Sequence, residues 1–181
     1  MHAQGFTLFD TAIGRCGIAW GAGGIVGIQL PEPQPAETRA RMMRRFPGAG
    51  PDAPPADVQR VMDDIVALLR GEPRGFATAR LDMRGLPEFD RAVYTATRAI
   101  AAGQTITYGE LAARIGDPGA ARAVGQSLGR NPFPITVPCH RVLAAGGRTG
   151  GFSASGGAVT KLRLLAIEGA SPNGTLPLPL E

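Results

Sequence analysis

The chain has 181 residues, of which 44% are hydrophobic and 19% are charged. This composition supplies a buried core and excludes a largely disordered chain, and the length suits one large domain or two small ones. No run approaches the roughly 18 apolar residues of a membrane-spanning helix, and the N-terminus lacks the pattern of a secretory signal. We expect a soluble, cytoplasmic monomer with no membrane partner.

The net charge of +4 is unevenly distributed along the chain. Residues 1–90 contain ten Arg and eleven acidic residues, whereas residues 91–181 contain eight Arg and Lys161 against four acidic residues. The positive excess therefore lies in the C-terminal half, where it favours contacts with the phosphates of a nucleic acid. Ordinary solubility charge would give the same composition, so charge alone does not identify the partner.

The two cysteines, Cys16 and Cys139, lie far apart in very different contexts. Two cysteines do not make the dense disulfide framework of a small secreted domain, so free thiols are expected. Only His2 and His140 could join them as zinc ligands, and no pair of these residues has the close spacing of a structural zinc site. We predict no metal and no cofactor, and we interpret Cys16 as a structural residue.

Hydrophobic patterns in the first 86 residues predict a small α/β unit with no evident chemistry. In chain order the predicted elements are strands at 5–9, 12–20 and 24–30, a basic helix at 36–46, a loop at 47–56, a helix at 57–71 and a strand at 76–83. The second and third strands are joined by a Gly-rich hairpin turn at 21–24.

The C-terminal half is mostly helical by the same criteria. Its predicted elements are helices at 87–103, 107–116 and 120–130, a buried strand-like run at 135–143, a Gly-rich loop at 146–157 and a closing helix at 159–169. Two short helices joined by a tight turn are typical of a helix-turn-helix, although a plain α-hairpin has the same pattern. Leu162, Leu165 and Ile167 are the expected core contacts of the closing helix, and residues 171–181 are expected to form a mobile tail.

Cys139 is the candidate nucleophile, between Pro138 and His140 in a Pro-rich segment. A thiol attacks as its thiolate, and a neighbouring His or Arg lowers the pKa that controls this ionisation. Adjacent side chains of a strand point to opposite faces, so a water bridging Cys139 and His140 is expected rather than a direct contact. A lone Cys in an apolar run is also a common core residue, and the residues around it must decide.

Five motifs of the C-terminal half occur together in one known family. They are TYGELA around residue 108, ARAVG at 121–125, Asn-Pro at 131–132, PCHRV at 138–142 and LAIEG at 165–169. In this order and spacing they resemble the O6-alkylguanine-DNA alkyltransferases, or methylated-DNA–protein-cysteine methyltransferases. The resemblance covers residues 87–170, whereas the N-terminal unit is similar to the family only in outline.

The resemblance implies an α/β (α+β) fold with two domains. Residues 1–86 would form a ribonuclease-H-like α/β domain, and residues 87–170 a mostly helical domain with a winged-helix-like helix-turn-helix. The implied reaction is irreversible transfer of a methyl or other alkyl group from O6-alkylguanine in double-stranded DNA to a protein thiol, once per molecule. Whether O4-alkylthymine is a second substrate stays open.

The resemblance also implies a role for each matching residue. Cys139 would accept the alkyl group, with His140 as a water-mediated base and Glu168 as the carboxylate that orients it. The implied DNA-binding and pocket residues are Tyr108 at the target phosphate, Arg122 in place of the flipped base, Asn131 between the recognition helix and the active site, and Phe152 and Ser153 around the alkyl group. The loop at 150–157 is slightly longer than in many relatives, which leaves the pocket shape and the size of the accepted alkyl group open.

Three other functions are compatible with parts of the sequence. A lesion-binding protein that only flags damage usually has another residue at the acceptor position, which here is Cys139. A helix-turn-helix transcription factor would leave His140 and Glu168 unexplained and lacks an obvious dimerisation element. A Cys–His hydrolase would need an oxyanion site and repeated turnover.

Overall fold

The computed structural model describes residues 2–170, and the predicted tail at 171–181 lies outside them. The strands are β1 (Gly5–Thr11), β2 (Gly14–Gly21), β3 (Gly24–Gln29), β4 (Gly50–Pro51), β5 (Ile106–Thr107) and β6 (Val142–Leu143). The helices are α1 (Pro35–Arg45), α2 (Ala56–Leu68), α3 (Glu88–Arg98), α4 (Tyr108–Arg114), α5 (Ala121–Gly129) and α6 (Ala158–Ile167), with short 3-10 turns at Cys139–Arg141 and Ala145–Gly147. Within residues 2–170 no helix has the length and apolarity to cross a bilayer.

The N-terminal sheet has the strand order β3-β2-β1-β4. Strands β1, β2 and β3 are antiparallel, and the predicted hairpin turn between β2 and β3 is confirmed. Gly24 at the end of this turn has φ +115°, a value that side chains with a Cβ rarely adopt. The predicted loop at 47–56 is interrupted by β4, which pairs in parallel with β1.

The predicted strand at 76–83 is wrong. Only Leu81 forms a β-bridge, which pairs it with Ile25 of β3. The two hydrogen bonds, both 2.8 Å, join Ile25 to the Arg80 carbonyl and the Asp82 amide. The carbonyls of Phe76 and Ala79 instead accept hydrogen bonds from the Arg98 guanidinium. A side chain from α3 therefore satisfies backbone groups that a neighbouring strand would otherwise bind.

Helices α3, α4 and α5 pack against one another and form most of the C-terminal half. Helix α3 ends at Arg98, five residues before the predicted end. Helix α4 begins with a capping box, in which the Thr107 hydroxyl accepts from the backbone of Glu110 and the Glu110 carboxylate accepts from that of Thr107. The turn at 115–120 joins α4 to α5, as the helix-turn-helix prediction requires.

Two details of the last third of the chain differ from prediction. The strand-like run at 135–143 contains a 3-10 turn, and only Val142 and Leu143 are in a strand, β6, which pairs in parallel with β5. In α6 the inward residues are Lys161, Leu164 and Leu165, whereas the predicted core residue Leu162 is 42% exposed.

Backbone hydrogen bonds join the sheet to the segment that precedes the candidate nucleophile. The Ile28 amide of β3 donates to the carbonyl of Pro132 at 2.9 Å. Arg45, the last residue of α1, donates to the carbonyls of both Ile28 and Pro132, at 2.8 and 3.0 Å. A single hydrophobic cluster extends from β1–β3 and α2 to α3, α5 and Cys139. The division of the chain at residue 86 stays a prediction.

Candidate active site

Cys139 begins a 3-10 turn that is held in place by the residues before it. The Asn131 amide Nδ2 donates to the Val137 carbonyl at 2.9 Å, and its Oδ1 accepts from the Phe133 amide at 2.9 Å. Ile135 between them has φ +73°, an unusual value for a β-branched residue. These two hydrogen bonds close a loop at 131–137 that is not extended like a strand. Asn131, which follows α5, thereby joins that helix to the segment before Cys139.

His140 and Arg141 follow Cys139 and both bind one carboxylate, that of Glu168 after α6. His140 Nε2 lies 2.8 Å from Glu168 Oε1, and Arg141 reaches both carboxylate oxygens at 2.7 and 2.8 Å. Arg141 also donates to the carbonyl of Ile100. The side chains of Glu168, His140 and Arg141 are only 2%, 1% and 4% exposed, so this cluster lies away from bulk water.

The protonation states of this cluster follow from burial and hydrogen bonding. Burial alone would raise the pKa of Glu168, but the hydrogen bonds from His140 and Arg141 outweigh it and lower the pKa to about 2. Burial lowers the pKa of His140, although the Glu168 carboxylate opposes this shift. An ionised carboxylate can only accept, so a neutral His140 must carry its proton on Nε2. Its Nδ1 is then an acceptor, and this buried atom has no hydrogen-bond partner within residues 2–170.

The Cys139 thiol is 7% exposed. Burial raises its pKa, and the neighbouring Asn131 amide and Lys161 ammonium lower it only in part. The resting thiol is therefore protonated, and its ionisation needs a base. Cys16, which is fully buried, has a pKa raised to about 12 by burial, consistent with an inert structural thiol.

Lys161 is a buried residue near Cys139 that sequence reasoning missed. Its Nζ donates to the Val142 carbonyl at 2.7 Å and lies 3.5 Å from the Tyr108 hydroxyl. Burial lowers the pKa of Lys161 to about 8, and burial raises that of Tyr108. The sequence did contain one indication: Lys161 is its only lysine, and the other residues in the Lys+Arg total of 19 are all arginines.

Two cavities meet at Cys139, and both predicted pocket residues, Phe152 and Ser153, line both of them. The first is a narrow recess of about 10 Å³ on the side of α4 and α5, which Tyr108 also lines. The second is a cleft of about 240 Å³ that extends to β3 and α1. The N-terminal unit, in which the sequence shows no evident chemistry, supplies one wall of this cleft through β3 and α1.

Arg122 does not line either cavity. It is an exposed residue in the first turn of α5. Gly125, one turn further along α5, lies against the Tyr108 ring: a Cβ there would be 3.8 Å from it. Four of the seven residues predicted beside Cys139 thus line a cavity with it, namely Tyr108, Asn131, Phe152 and Ser153. His140 and Glu168 form the hydrogen-bonded pair next to it, and Arg122 lies on the outer surface. Within residues 2–170 no three His, Cys, Asp or Glu side chains converge as metal ligands would.

Comparisons with known proteins show which family the chain belongs to. The DNA-binding domain of 6-O-methylguanine DNA methyltransferase matches residues 88–170. A methylated-DNA–protein-cysteine methyltransferase of Methanothermobacter thermautotrophicus is 35% identical over 158 residues, which cover 87% of this chain and 81% of that protein. The chain belongs to the methylated-DNA–protein-cysteine methyltransferase family.

Solved structures of related proteins have the same overall fold as this methyltransferase. Mycobacterium tuberculosis OGT in complex with DNA is 34% identical with a TM-score of 0.73, covering 90% of this chain and 91% of that chain. The O6-methylguanine-DNA methyltransferase of Pyrococcus kodakaraensis is 28% identical with a TM-score of 0.68, covering 91% and 99%. The predicted α/β class is confirmed, whereas the ribonuclease-H-like and winged-helix descriptions stay predictions.

The Glu168 network gives this methyltransferase a specific acid sensitivity. Because the folded-state pKa of Glu168 is about 2 against an ordinary 4.5, its stabilising contribution is complete above pH 4.5 and is lost as the pH falls to about 2. Urea unfolding at pH 7 should therefore show Glu168→Gln less stable than wild type by about 3 kcal/mol.

The same measurement at lower pH tests the cause. The difference between wild type and Glu168→Gln should shrink steadily from pH 5 to pH 2, because a protonated glutamate resembles glutamine. Glu88→Gln, at an exposed position of α3, serves as the control and should follow wild type at every pH. A Glu168→Gln difference that does not change with pH would contradict the assigned ionisation.

Proposed function

We propose that this methyltransferase repairs DNA by direct reversal, with Cys139 as the acceptor of the alkyl group of O6-alkylguanine. The reaction class and the DNA partner follow from the family. The role of Cys139 is supported by one observation above all: a buried thiol lies next to a histidine whose tautomer is set by an ionised carboxylate. A cytoplasmic location, on DNA, is part of this proposal.

The proposed proton path starts at the Cys139 thiol. His140 Nδ1 accepts the proton through a bridging water, and Glu168 stabilises the imidazolium that forms. The thiolate then attacks the alkyl carbon, so that a C–S bond forms as the C–O6 bond breaks. The electron pair of the broken bond stays on the guanine, which takes up a proton as it leaves. Tyr108, with Lys161 beside its hydroxyl, is the proposed donor of that proton.

Single turnover follows from the product. A thioether has no easily expelled group, so no simple substitution regenerates the thiol. The alkylated chain therefore keeps its adduct. Phe152 and Ser153 are proposed to line the space around the alkyl group.

The target base must leave the DNA stack to reach a thiol that is 7% exposed. Extruding a nucleotide costs a few kcal/mol, and a side chain that fills the gap offsets part of this cost. Arg122 is proposed for that role because it is exposed at the start of α5, the second helix of the helix-turn-helix. Asn131 is proposed to hold the active-site loop relative to the same helix.

The acceptor role is tested by stoichiometry. Incubation with excess duplex DNA containing O6-methylguanine should add close to one methyl group per chain, on the peptide that contains Cys139. Cys139→Ala should bind the same duplex without gaining mass, because only the acceptor sulfur is lost. Intact-protein and peptide mass spectrometry measure both results. Repeated turnover, or a methyl group on Cys16, would refute the assignment.

Arg122 is tested by comparing substrates that differ in base stacking. Arg122→Ala should react about tenfold more slowly than wild type with a duplex lesion. A tenfold change in rate corresponds to about 1.4 kcal/mol, which we expect Arg122 to contribute by filling the gap left by the extruded base. Its reaction with the free base O6-benzylguanine should stay near that of wild type, since no base has to be extruded. Arg60→Ala, at an exposed position of α2, is the charge-matched control. Equal slowing on both substrates would remove the proposed role.

A further inference from the structure

The larger cleft at Cys139 has more room than transfer of a methyl group requires. It encloses about 240 Å³, and its lining combines Cys139 and Ser153 with residues of β3 and α1. The narrow recess opens instead toward Tyr108 and Gly125, on the side of the proposed DNA-binding helix. If the guanine enters from that side, a substituent longer than methyl extends into the cleft between Cys139 and the N-terminal unit.

The charged side chains that line this cleft are all positive. Three arginines, Arg41, Arg45 and Arg130, line it, and none of its other lining residues is charged at neutral pH apart from the thiol itself when ionised. Two of the three are paired with carboxylates outside the lining, Arg41 with Glu32 at 2.7 Å and Arg130 with Asp90 at 3.1 Å.

Arg45 differs from the other two arginines. Within residues 2–170 no carboxylate forms a salt bridge with it. Its guanidinium is fixed by the carbonyls of Ile28 and Pro132 and lies 5.1 Å from the centre of the Phe46 ring. Burial and the charge of Arg41 lower the pKa of Arg45, as expected for a cation without a counter-ion. A fixed, partly desolvated positive charge in a cleft attracts anions more strongly than an exposed one.

We infer that this cleft accepts O6-substituents that end in a carboxylate, with Arg45 as the group that compensates their charge. This inference rests on the proposed function, since it concerns the same thiol and the same reaction. A carboxylate on the substituent repels the approaching thiolate, and the Arg45 charge offsets that repulsion. The step is otherwise unchanged: the C–S bond forms, the C–O6 bond breaks, the electron pair leaves with guanine, and the carboxyalkyl group stays on sulfur.

The test uses two duplexes of identical sequence that differ in one functional group. One contains O6-carboxypropylguanine and the other O6-carbamoylpropylguanine, which is uncharged and nearly the same size. The ratio of their transfer rates cancels any general loss of activity or of folding, and intact-protein mass spectrometry follows both adducts. Wild type should react with the carboxylate substrate at least as fast as with the amide.

Three variants isolate the Arg45 charge. Arg45→Gln should lower the carboxylate-to-amide rate ratio by about tenfold, because the loss of one unit charge from a partly desolvated cleft removes an attraction on the order of one pKa unit. Arg45→Lys, which keeps the charge, should keep most of the ratio. Arg44→Gln removes an exposed charge from the same helix and should leave the ratio at the wild-type value.

The outcomes separate this inference from the proposed function. A fall of less than about threefold in Arg45→Gln, or an equal fall in Arg44→Gln, overturns the assignment to Arg45. Wild type that accepts methyl but reacts with neither propyl substrate, or that strongly prefers the amide, overturns the substrate class. Wild type that accepts no methyl group from O6-methylguanine refutes the proposed function itself.

Discussion

One buried carboxylate organises the reactive part of this molecule. Glu168, at the end of α6, binds the two residues that follow Cys139 and so fixes the 3-10 turn to the last helix. Burial alone would raise the pKa of a carboxylate with 2% exposure, and the hydrogen bonds from His140 and Arg141 outweigh that effect. The charge that remains determines the tautomer of His140, and thereby which of its nitrogens can take a proton. Without the Glu168–Arg141 pair, His140 would still follow Cys139 in the chain, but nothing would fix which of its nitrogens accepts a proton.

The proposed nucleophile is thus protonated in the resting protein. Burial favours the neutral forms of both Cys139 and His140, so the resting site carries a thiol and an imidazole rather than a thiolate–imidazolium pair. A permanently ionised thiolate would be open to oxidation and to stray electrophiles. Because the proposed adduct on Cys139 would be permanent, a protonated resting thiol suits a protein that acts once. Asn131 and Arg45 both hold the segment before Cys139 through hydrogen bonds to its backbone carbonyls.

Much of this site could be predicted from the sequence, because its residues fall in short motifs whose order is distinctive. Cys139, His140, Glu168, Asn131 and Tyr108 lie in these motifs, whereas Phe152 and Ser153 follow only from the resemblance. The structure places all seven in or beside the two cavities and the Glu168 cluster. The partner of Arg141 could not be predicted, since it lies 27 residues further along the chain and the contact depends on tertiary packing. Arg45 and Lys161 were missed for a related reason, because helical patterns assign charged residues to the solvent. Lys161 is buried in α6 because its ammonium reaches the Val142 carbonyl.

The errors in secondary structure have the same physical origin. Residues 76–83 and 135–143 contain apolar residues at strand-like spacing, yet several of their backbone groups bind side chains or turns instead of a neighbouring strand. Arg98 satisfies the first segment and Asn131 shapes the second. Local propensity predicts what a segment can form, and distant side chains decide what it does form.

The tautomer of His140 is the most direct test of this account. The chain has only two histidines, His2 and His140, so selective ¹⁵N-histidine labelling gives two imidazole rings to resolve by NMR. A His2→Asn variant assigns the remaining ring. We predict that His140 is neutral at pH 7, with a protonated Nε2 and an unprotonated Nδ1, and that it stays neutral below the pH at which an ordinary histidine titrates. A proton on Nδ1, or an imidazolium at pH 7, would contradict the account.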